Sequence, residues 1–448
     1  MANALEVIQT AAIVLLLGIS PAFISDEENQ TMASEAGFFL FIAASICLPV
    51  GLFMAVRQTF NSMRKPYTFF LSHHKEGAGA FARLLKLELG SRRKVDGGIF
   101  LDSDNLTDLN ELLDIVAFKV EMFVLLVTDK VFLRPWCLAE LTVSAQKGTH
   151  MIAVYFPDCD RPTDEFIHTL PNQVLEIQEL ARFGLTYSHL QEALTTVQDN
   201  RCVVRMSRSL SADAIEDLAS IILKQRAGTP QSRQAKIASR LTLAMGADVN
   251  SLHVRAHNVC QDRHSETDQS LYVVVDHFNM EAISSALILQ RLIPPCSGLQ
   301  IIPVVLSGRG AVLPTSSSRC LLICSTTSMQ DPYVLESILV SVEFDIFTLP
   351  IFLSDEFRIP SDKDLAEFSE MSDFTMDKHQ ALVLAIRATF RTIGVRFWPK
   401  EHFTIMKMQV DSIVRRVEAG TGPKRAVTIA GEESKQTPCT VISETESI

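Results

Sequence analysis

Short apolar stretches alternate with amphipathic stretches from residue 67 onward, and this alternation constrains the fold more than any other feature of the chain. Buried strands are predicted at 67–72, 98–102, 122–128, 150–156 and 201–206. Helices are predicted at 79–89, at 109–119, from Pro135 onward, and at 211–226 with Ser211 as N-cap. Such alternation predicts an α/β domain, in which helices cover both faces of a doubly wound, five-stranded parallel sheet.

The same texture returns in the second half of the chain, which indicates an internal repeat. Residues 122–144 align with 319–341 at a constant offset of 197, and the register continues to 155–158 against 352–355. Residues 69–74 likewise match 273–278. The two halves share a hydrophobic pattern but little chemical identity. The repeat therefore predicts a second, diverged copy of one fold.

Changes in amino-acid composition indicate where the two copies begin and end. The first copy is predicted to span 66–228 and the second 269–420, with a polar linker at 229–268. The last residues, 421–448, are rich in Gly, Thr, Ser and Glu and are predicted to be disordered.

Residues 1–65 differ from the rest and predict an α-helical transmembrane hairpin, with spans at about 8–24 and 36–56. The second span is free of charge, and the first lacks the positive residues of a signal peptide. Arg57, Arg64 and Lys65 follow the second span, whereas acidic residues lie between the two spans. The positive-inside rule then predicts a multi-pass membrane protein with both copies in the cytoplasm. A buried core hairpin is the alternative interpretation of these residues.

Charge and cysteine usage exclude some classes of partner. The net charge of −11 offers no basic surface to neutralise phosphates, so no nucleic-acid partner is expected. The 9 cysteines contain no CxxC pair and are typical of reduced, intracellular thiols.

One segment of the first copy, RPWCLAELTVS at 134–144, combines helix signals with chemically useful side chains. Pro135 suits the first turn of a helix. Trp136 and Glu140 are four residues apart and therefore share a face. At the carboxyl side of a parallel sheet, an aromatic ring and a carboxylate favour a ligand crevice. A solvated helix glutamate is the alternative for Glu140.

Three segments of the first copy resemble, in the same order, the three conserved boxes of TIR (Toll/interleukin-1 receptor) domains. They are FFLSHH (69–74), IFLDSDNL (99–106), and VLLVT followed by RPWCLAEL (124–141). The third box is most similar to plant and bacterial versions with the pattern W-C-x-x-E. The resemblance implies a flavodoxin-like five-stranded parallel sheet, repeated twice here, with the second copy a degenerate TIR-like domain. It also implies a partner class, since TIR domains associate with one another.

The resemblance implies two activities, and both stay open. Many TIR domains only self-associate or recruit adaptors, whereas others cleave NAD at the nicotinamide–ribose bond. A carboxylate at Glu140 suits that cleavage, because it can stabilise the oxocarbenium charge or hold the ribose hydroxyls. NAD is then a substrate, and no cofactor or metal is expected. The predicted substrate-binding residues are Trp136, Ser72, Phe70, Gly77, Asp102, Asn105 and Leu106.

Two further patterns are weaker. Asp102 and Asp104 form a D-x-D triplet of the kind that binds a metal in nucleotide-sugar transferases, which makes that enzyme a third function class. His253, His257, Cys260 and His264 have zinc-ligand chemistry at helical spacing. One straight helix cannot wrap four ligands around an ion, so a polar linker with chance histidines is favoured.

The second copy lacks the proposed catalytic carboxylate. At the offset of 197, Tyr333 matches Trp136, but Ser337 matches Glu140. Glu336 is one helix step away and points about 100° off that face. Asp276 replaces Ser72, and residues 303–308 replace the acidic loop. The second copy is therefore predicted to be inactive and to serve packing or assembly.

Overall fold

A computed structural model describes residues 65–227 and 270–420, apart from gaps at 93–94, 96, 107, 175–176, 297–301, 308–309, 362–363 and 365–375, together with four isolated N-terminal positions. The predicted membrane hairpin, apart from those four positions, lies outside the described residues. The predicted linker with its histidine cluster and the predicted disordered tail also lie outside them. No helix within the described residues is long and apolar enough to cross a membrane.

The first copy consists of strands β1 to β5 and helices α1 to α7. The strands are β1 (Tyr67–Ser72), β2 (Gly98–Phe100), β3 (Val120–Val127), β4 (His150–Tyr155) and β5 (Val203–Arg205). The helices are α1 (Lys75–Gly90), α2 (Asp102–Asn105), α3 (Leu112–Asp114), α4 (Pro135–Gln146), α5 (Asp164–Gln173), α6 (Tyr187–Asp199) and α7 (Ala212–Ala227). Short 3-10 turns at Leu109–Glu111, Val131–Leu133 and Ile177–Phe183, and a π-helical turn at Ile115–Lys119, complete it.

The second copy repeats this order in a shorter form. Its strands are β6 (Leu271–Val274), β7 (Val304–Leu306), β8 (Arg319–Cys324), β9 (Phe347–Phe352) and β10 (Val395–Arg396). Its helices are α8 (Met280–Cys296), α9 (Pro332–Glu343), α10 (Met376–Thr389) and α11 (Phe403–Ala419), and a 3-10 turn spans Ser328–Gln330.

Both sheets have the same topology, which confirms the predicted repeat of a five-stranded parallel α/β fold. The strand orders are β2-β1-β3-β4-β5 and β7-β6-β8-β9-β10, and every pairing is parallel. This is the flavodoxin-like order. The offset of 197 holds for whole elements, since α4, β4 and the turn at Val131–Leu133 map onto α9, β9 and the turn at Ser328–Gln330 residue for residue.

The two copies share one hydrophobic core. The faces of both sheets that carry Phe69 and Val273 pack against α1, α7, α8 and α11, and these four helices form one layer between the sheets. The outer face of the first sheet is covered by α4 and α6, and that of the second sheet by α9 and α10. Equivalent helices of the two copies, α1 and α8, pack directly on each other. The copies therefore associate within the chain.

Four elements of the first copy differ from the sequence prediction. The helix predicted at 109–119 is a 3-10 turn, one α-turn and a π-turn in succession, and β3 begins directly after it at Val120. The π-helical turn therefore leads into the strand without a loop, and Val120 pairs with Tyr67. Helices α5 and α6 were not predicted, and β5 is shorter than expected.

Candidate functional site

The crevice of the first sheet lies at the carboxyl ends of β1 and β3, where the strand order reverses. Ser72 ends β1, and its hydroxyl donates a hydrogen bond of 2.6 Å to Oε2 of Glu140 in the middle of α4. Ser72 is 1% and Glu140 is 7% exposed. The structure therefore brings two of the predicted site residues into direct contact.

Burial changes the acidity of this carboxyl group. Loss of solvation raises the pKa of Glu140 from 4.5 to about 8, the hydrogen bond from Ser72 opposes the rise, and the nearby charge of Asp102 adds to it. Glu140 therefore carries its proton at neutral pH in this state. A strongly shifted carboxyl at a sheet's switch point is typical of a functional group.

Two polar residues that sequence reasoning did not select lie at the same edge. His74 and Thr128 are buried, and neither ring nitrogen of His74 nor the hydroxyl of Thr128 has a hydrogen-bond partner among the described residues. Both lie around Gly77, since a Cβ at that glycine would be 3.2 Å from Nδ1 of His74 and 3.6 Å from Cβ of Thr128. The available signal was position, because Thr128 directly follows β3.

The imidazole of His74 is kept neutral. Burial lowers its pKa, the charge of Arg134 lowers it further, and Glu76 opposes both. Nε2 of His74 lies 3.4 Å from Oε2 of Glu76, without hydrogen-bond geometry. Buried, unpartnered nitrogen and hydroxyl groups such as these favour a ligand or an ordered water at this edge.

The acidic loop lies beside the site, but its members have different roles. Oδ1 of Asp102 is 4.0 Å from Nε2 of His73. Asp104 accepts hydrogen bonds from Arg83 and Lys86, which hold its pKa below the ordinary value although burial raises it. Asn105 accepts from the backbone of Leu101 and from Lys86. Asp104 is therefore already neutralised by protein cations, which disfavours the D-x-D metal site and the transferase class.

Two other predicted substrate-binding residues contact aromatic rings of the protein. Phe70 is buried in a stack between Phe100 and Phe123, with ring centroids at 4.9 and 5.5 Å, so it belongs to the core. Trp136 is half-buried and meets the ring of Phe183 edge-on at 5.4 Å.

Leu106 is half-buried and packs against the core on the outer face of the first sheet. Ser72, Glu140, Gly77 and Asp102 lie at the crevice, and a substrate-binding role of Trp136 stays a prediction.

In the second copy, the residue that replaces Glu140 serves the backbone. Ser337 is buried, donates a hydrogen bond to the carbonyl of Tyr333 and accepts one of 3.2 Å from the amide of Leu313. The prediction that this copy lacks the carboxylate agrees with this geometry.

A large cavity nevertheless lies at the crevice of the second copy. Its volume is about 930 Å³, and it extends from the loops after β6, β8 and β9 to Glu76 and Gly77 of the first copy. Glu140 does not line it.

The second copy also occupies the amino end of α1. That helix is kinked at Ala78, where φ is −146° and ψ is 19°. The carboxylate of Glu281 accepts from the amides of Ala80 and Phe81 at 2.9 and 3.0 Å. Helix amino ends are common binding sites for phosphate. Here a carboxylate from α8 fills that position.

A cluster of charged residues joins the copies on the other side of α1. Arg83 is 1% exposed, and its guanidinium donates to the carbonyls of Pro399 and Glu401 as well as to Asp104. The amide of Phe403 donates to the same aspartate at 3.0 Å. Through Asp104, the acidic loop beside Glu140 is therefore hydrogen-bonded to the second copy.

No family model and no curated protein matches the chain. Among solved structures, the chain is similar to the TIR domains of the activated Roq1 resistosome that recognises the pathogen effector XopQ, with 18% identity and a TM-score of 0.24, over 36% of this chain and 98% of that chain. It is also similar to tagatose-6-phosphate ketose/aldose isomerase from Escherichia coli, with 11% identity and a TM-score of 0.20, over 85% of this chain and 91% of that chain. Similarities at these TM-scores do not indicate a function.

Proposed function

We propose that this chain is a membrane-anchored TIR-type signalling protein whose first copy hydrolyses NAD at the nicotinamide–ribose bond through Glu140. The observation that carries the proposal is the buried hydrogen bond between Ser72 and Glu140 at the switch point of the first sheet. The unpartnered polar atoms of His74 and Thr128 at the same edge support it, because they offer a substrate hydrogen bonds that the described protein leaves unmade.

The proposed chemistry depends on a change in the charge of Glu140. The nicotinamide of NAD is cationic, and a cation within about 4–6 Å lowers the pKa of a carboxyl group. Entry of the substrate would therefore ionise Glu140, and the carboxylate would then stabilise the oxocarbenium ion as the bond to nicotinamide breaks. Water attacks the ribose carbon, and the products are nicotinamide, ADP-ribose and one proton.

A non-catalytic scaffold is the second candidate, and two observations favour it. Glu281 occupies the amides of Ala80 and Phe81 that would receive a phosphate, and Glu140 does not line the cavity of about 930 Å³. In that function the two copies act through association, of which the packing of α1 on α8 is an example within one chain.

Nicotinamide release by the full chain in detergent or on liposomes distinguishes the two functions. Glu140→Gln keeps the shape of the side chain and removes its charge, and we expect it to lower the rate by about 100-fold. Glu192→Gln, on the exposed face of α6, is the matched control and should leave the rate unchanged. Glu281→Gln weakens the contact that fills the helix amino end, so we expect it to raise the rate at low NAD concentration.

An absence of release from both the natural chain and Glu281→Gln would favour the scaffold. Equal release from Glu140→Gln would exclude Glu140 as the catalytic group. Flotation of the full chain with liposomes, compared with a chain that begins at residue 65, tests the membrane anchor separately.

A further inference from the structure

A second cluster of ionisable side chains lies in the copy that lacks Glu140. Asp276 and His277 follow β6, and Asp331 directly precedes α9. Each residue offers one ligand atom, and these atoms all lie within 4.8 Å of one another. The three residues are 1%, 6% and 2% exposed. The cluster is therefore both compact and almost fully removed from solvent.

Hydrogen bonds orient the histidine in this cluster. Oδ2 of Asp331 accepts from the backbone amide of His277 at 3.1 Å and lies 2.6 Å from its Nδ1. A cation held by Nδ1 and Oδ2 together would take the place of the proton between these two atoms. Nε2 lies on the opposite side of the ring, where it is buried and has no hydrogen-bond partner within the described ranges.

The two aspartates have no protein cation that offsets their charge, apart from a protonated His277. Among the ion pairs of the described residues, Asp331 pairs only with His277, and Asp276 takes part in none. Asp276 accepts from the amide of Phe278 and from the hydroxyl of Thr327, both neutral groups. Burying two carboxylates so close together is costly unless a cation joins them.

The cluster also opens on a space that attracts cations. Asp276 and Asp331 both line the cavity of about 930 Å³. Its other charged residues are four acids, Glu76, Glu281, Asp355 and Glu356, and a single lysine, Lys400. An excess of carboxylates in a concave site focuses negative potential and concentrates cations.

The first copy shows that this cluster is specific to the second. Ser72 and His73 align with Asp276 and His277, and Arg134 aligns with Asp331 at the offset of 197. At the position of Asp331 the first copy therefore has the cation Arg134, and at the position of Asp276 it has the neutral Ser72. The acidic residues of the cluster are not a requirement of the fold, because the same topology forms without them.

We propose that the second copy binds a divalent metal ion through Asp276, His277 and Asp331, with open coordination positions that face the cavity. Two carboxylates and one imidazole suit Mn²⁺ or Zn²⁺, since imidazole is a poor ligand for Mg²⁺ and Ca²⁺. The open positions would accept an oxygen-bearing ligand, held beside the hydroxyls of Ser325 and Thr327. The site does not depend on NAD hydrolysis, because Glu140 lies in the other copy.

Metal titration of the tag-free full chain tests the site. After removal of metal with a chelator, Mn²⁺ is titrated and its free concentration is followed by electron paramagnetic resonance, and Zn²⁺ is titrated separately. We expect one ion per chain for at least one metal, and Asp276→Asn should weaken its binding at least about tenfold. Glu356→Gln removes an exposed acid from the same cavity and should bind as the natural chain does.

The choice of variant separates a metal ligand from a structural residue. Asp331 also accepts from the amide of Tyr333 at the start of α9, so its replacement would disturb the helix as well. Asp276→Asn leaves the start of α9 unchanged. If Asp276→Asn does not fold, His277→Gln replaces it as the variant that lacks one metal ligand. A rise in the urea midpoint of the natural chain with metal should be absent from both variants. Binding of neither ion, or undiminished binding by Asp276→Asn, overturns the proposal.

Discussion

Replacement of Glu140 by glutamine should change how stability depends on pH. Glutamine has the same shape and keeps an oxygen that accepts the hydrogen bond of Ser72, but it cannot ionise. In the natural chain, burial raises the pKa of Glu140 from 4.5 to about 8, opposed by the bond from Ser72. The natural chain and the variant therefore differ in one titrating group at an otherwise similar site.

The sign and size of the effect follow from this pKa. Between about pH 4.5 and pH 8 the unfolded chain loses the proton while the folded chain keeps it, so the free energy of unfolding falls as pH rises. At about 1.4 kcal/mol per pH unit, the natural chain loses on the order of 5 kcal/mol across this window. Above about pH 8 both states are ionised and the loss is complete.

Urea unfolding of both chains from pH 4 to pH 9, followed by circular dichroism, measures this difference directly. We expect the stability of Glu140→Gln relative to the natural chain to rise through the window and then to level off. Ser72→Ala removes the bond that favours the charged form, so it should move the upper limit of the window to higher pH. A difference between Glu140→Gln and the natural chain that does not vary with pH would refute the reasoning, because Glu140 would then be ionised in the folded protein.

Two further predictions concern the contact between the copies, and both are measured as shifts in the urea midpoint. Gly79→Ala places a Cβ 2.8 Å from Cγ of Lys400 and should destabilise the chain. In Gly90→Ala the new Cβ has no neighbour nearer than 4.0 Å, so this variant should gain at most about 1 kcal/mol of helix stability. Equal urea midpoints of the two variants would contradict this prediction. Arg83→Met keeps the packing volume but leaves Asp104 with one fewer cation, so it should cost about 3 kcal/mol, and a loss below about 0.5 kcal/mol would show that the buried guanidinium is not required.

Local signals in the sequence were sufficient for the strands and for the repeat. The offset of 197 aligned Pro332 with Pro135, and each proline is the first residue of a helix of 12 residues. The alternation of strands with helices predicted a parallel sheet, and the flavodoxin-like order was what the resemblance to TIR domains implied. The Ser211 N-cap is also confirmed, since its hydroxyl accepts from the amide of Ala214.

The composition of the site was harder to predict, for two physical reasons. Strands of a parallel sheet are buried on both faces, so the hydrophobic pattern does not tell core residues from site residues. Phe70 in the core and Ser72 at the end of the strand are both almost fully buried. The contacts of Glu281 with α1 join residues about 200 positions apart, and no local pattern indicates them. The large cavity is formed by loops of both copies and depends on the same long-range packing.

The position of Glu281 on the amino end of α1 makes it a tethered competitor. A group held on the same chain acts at an effective concentration in the millimolar range or above, so a phosphate from solution must exceed that concentration or bind correspondingly more tightly. Parting the copies would expose the shared core between the two sheets, which makes it a costly way to vacate the amides. The smallest movement that frees them is a rotation of the Glu281 side chain itself. Nζ of Lys400 lies 3.4 Å from this carboxylate, so the rotation would also have to break that ion pair within the second copy.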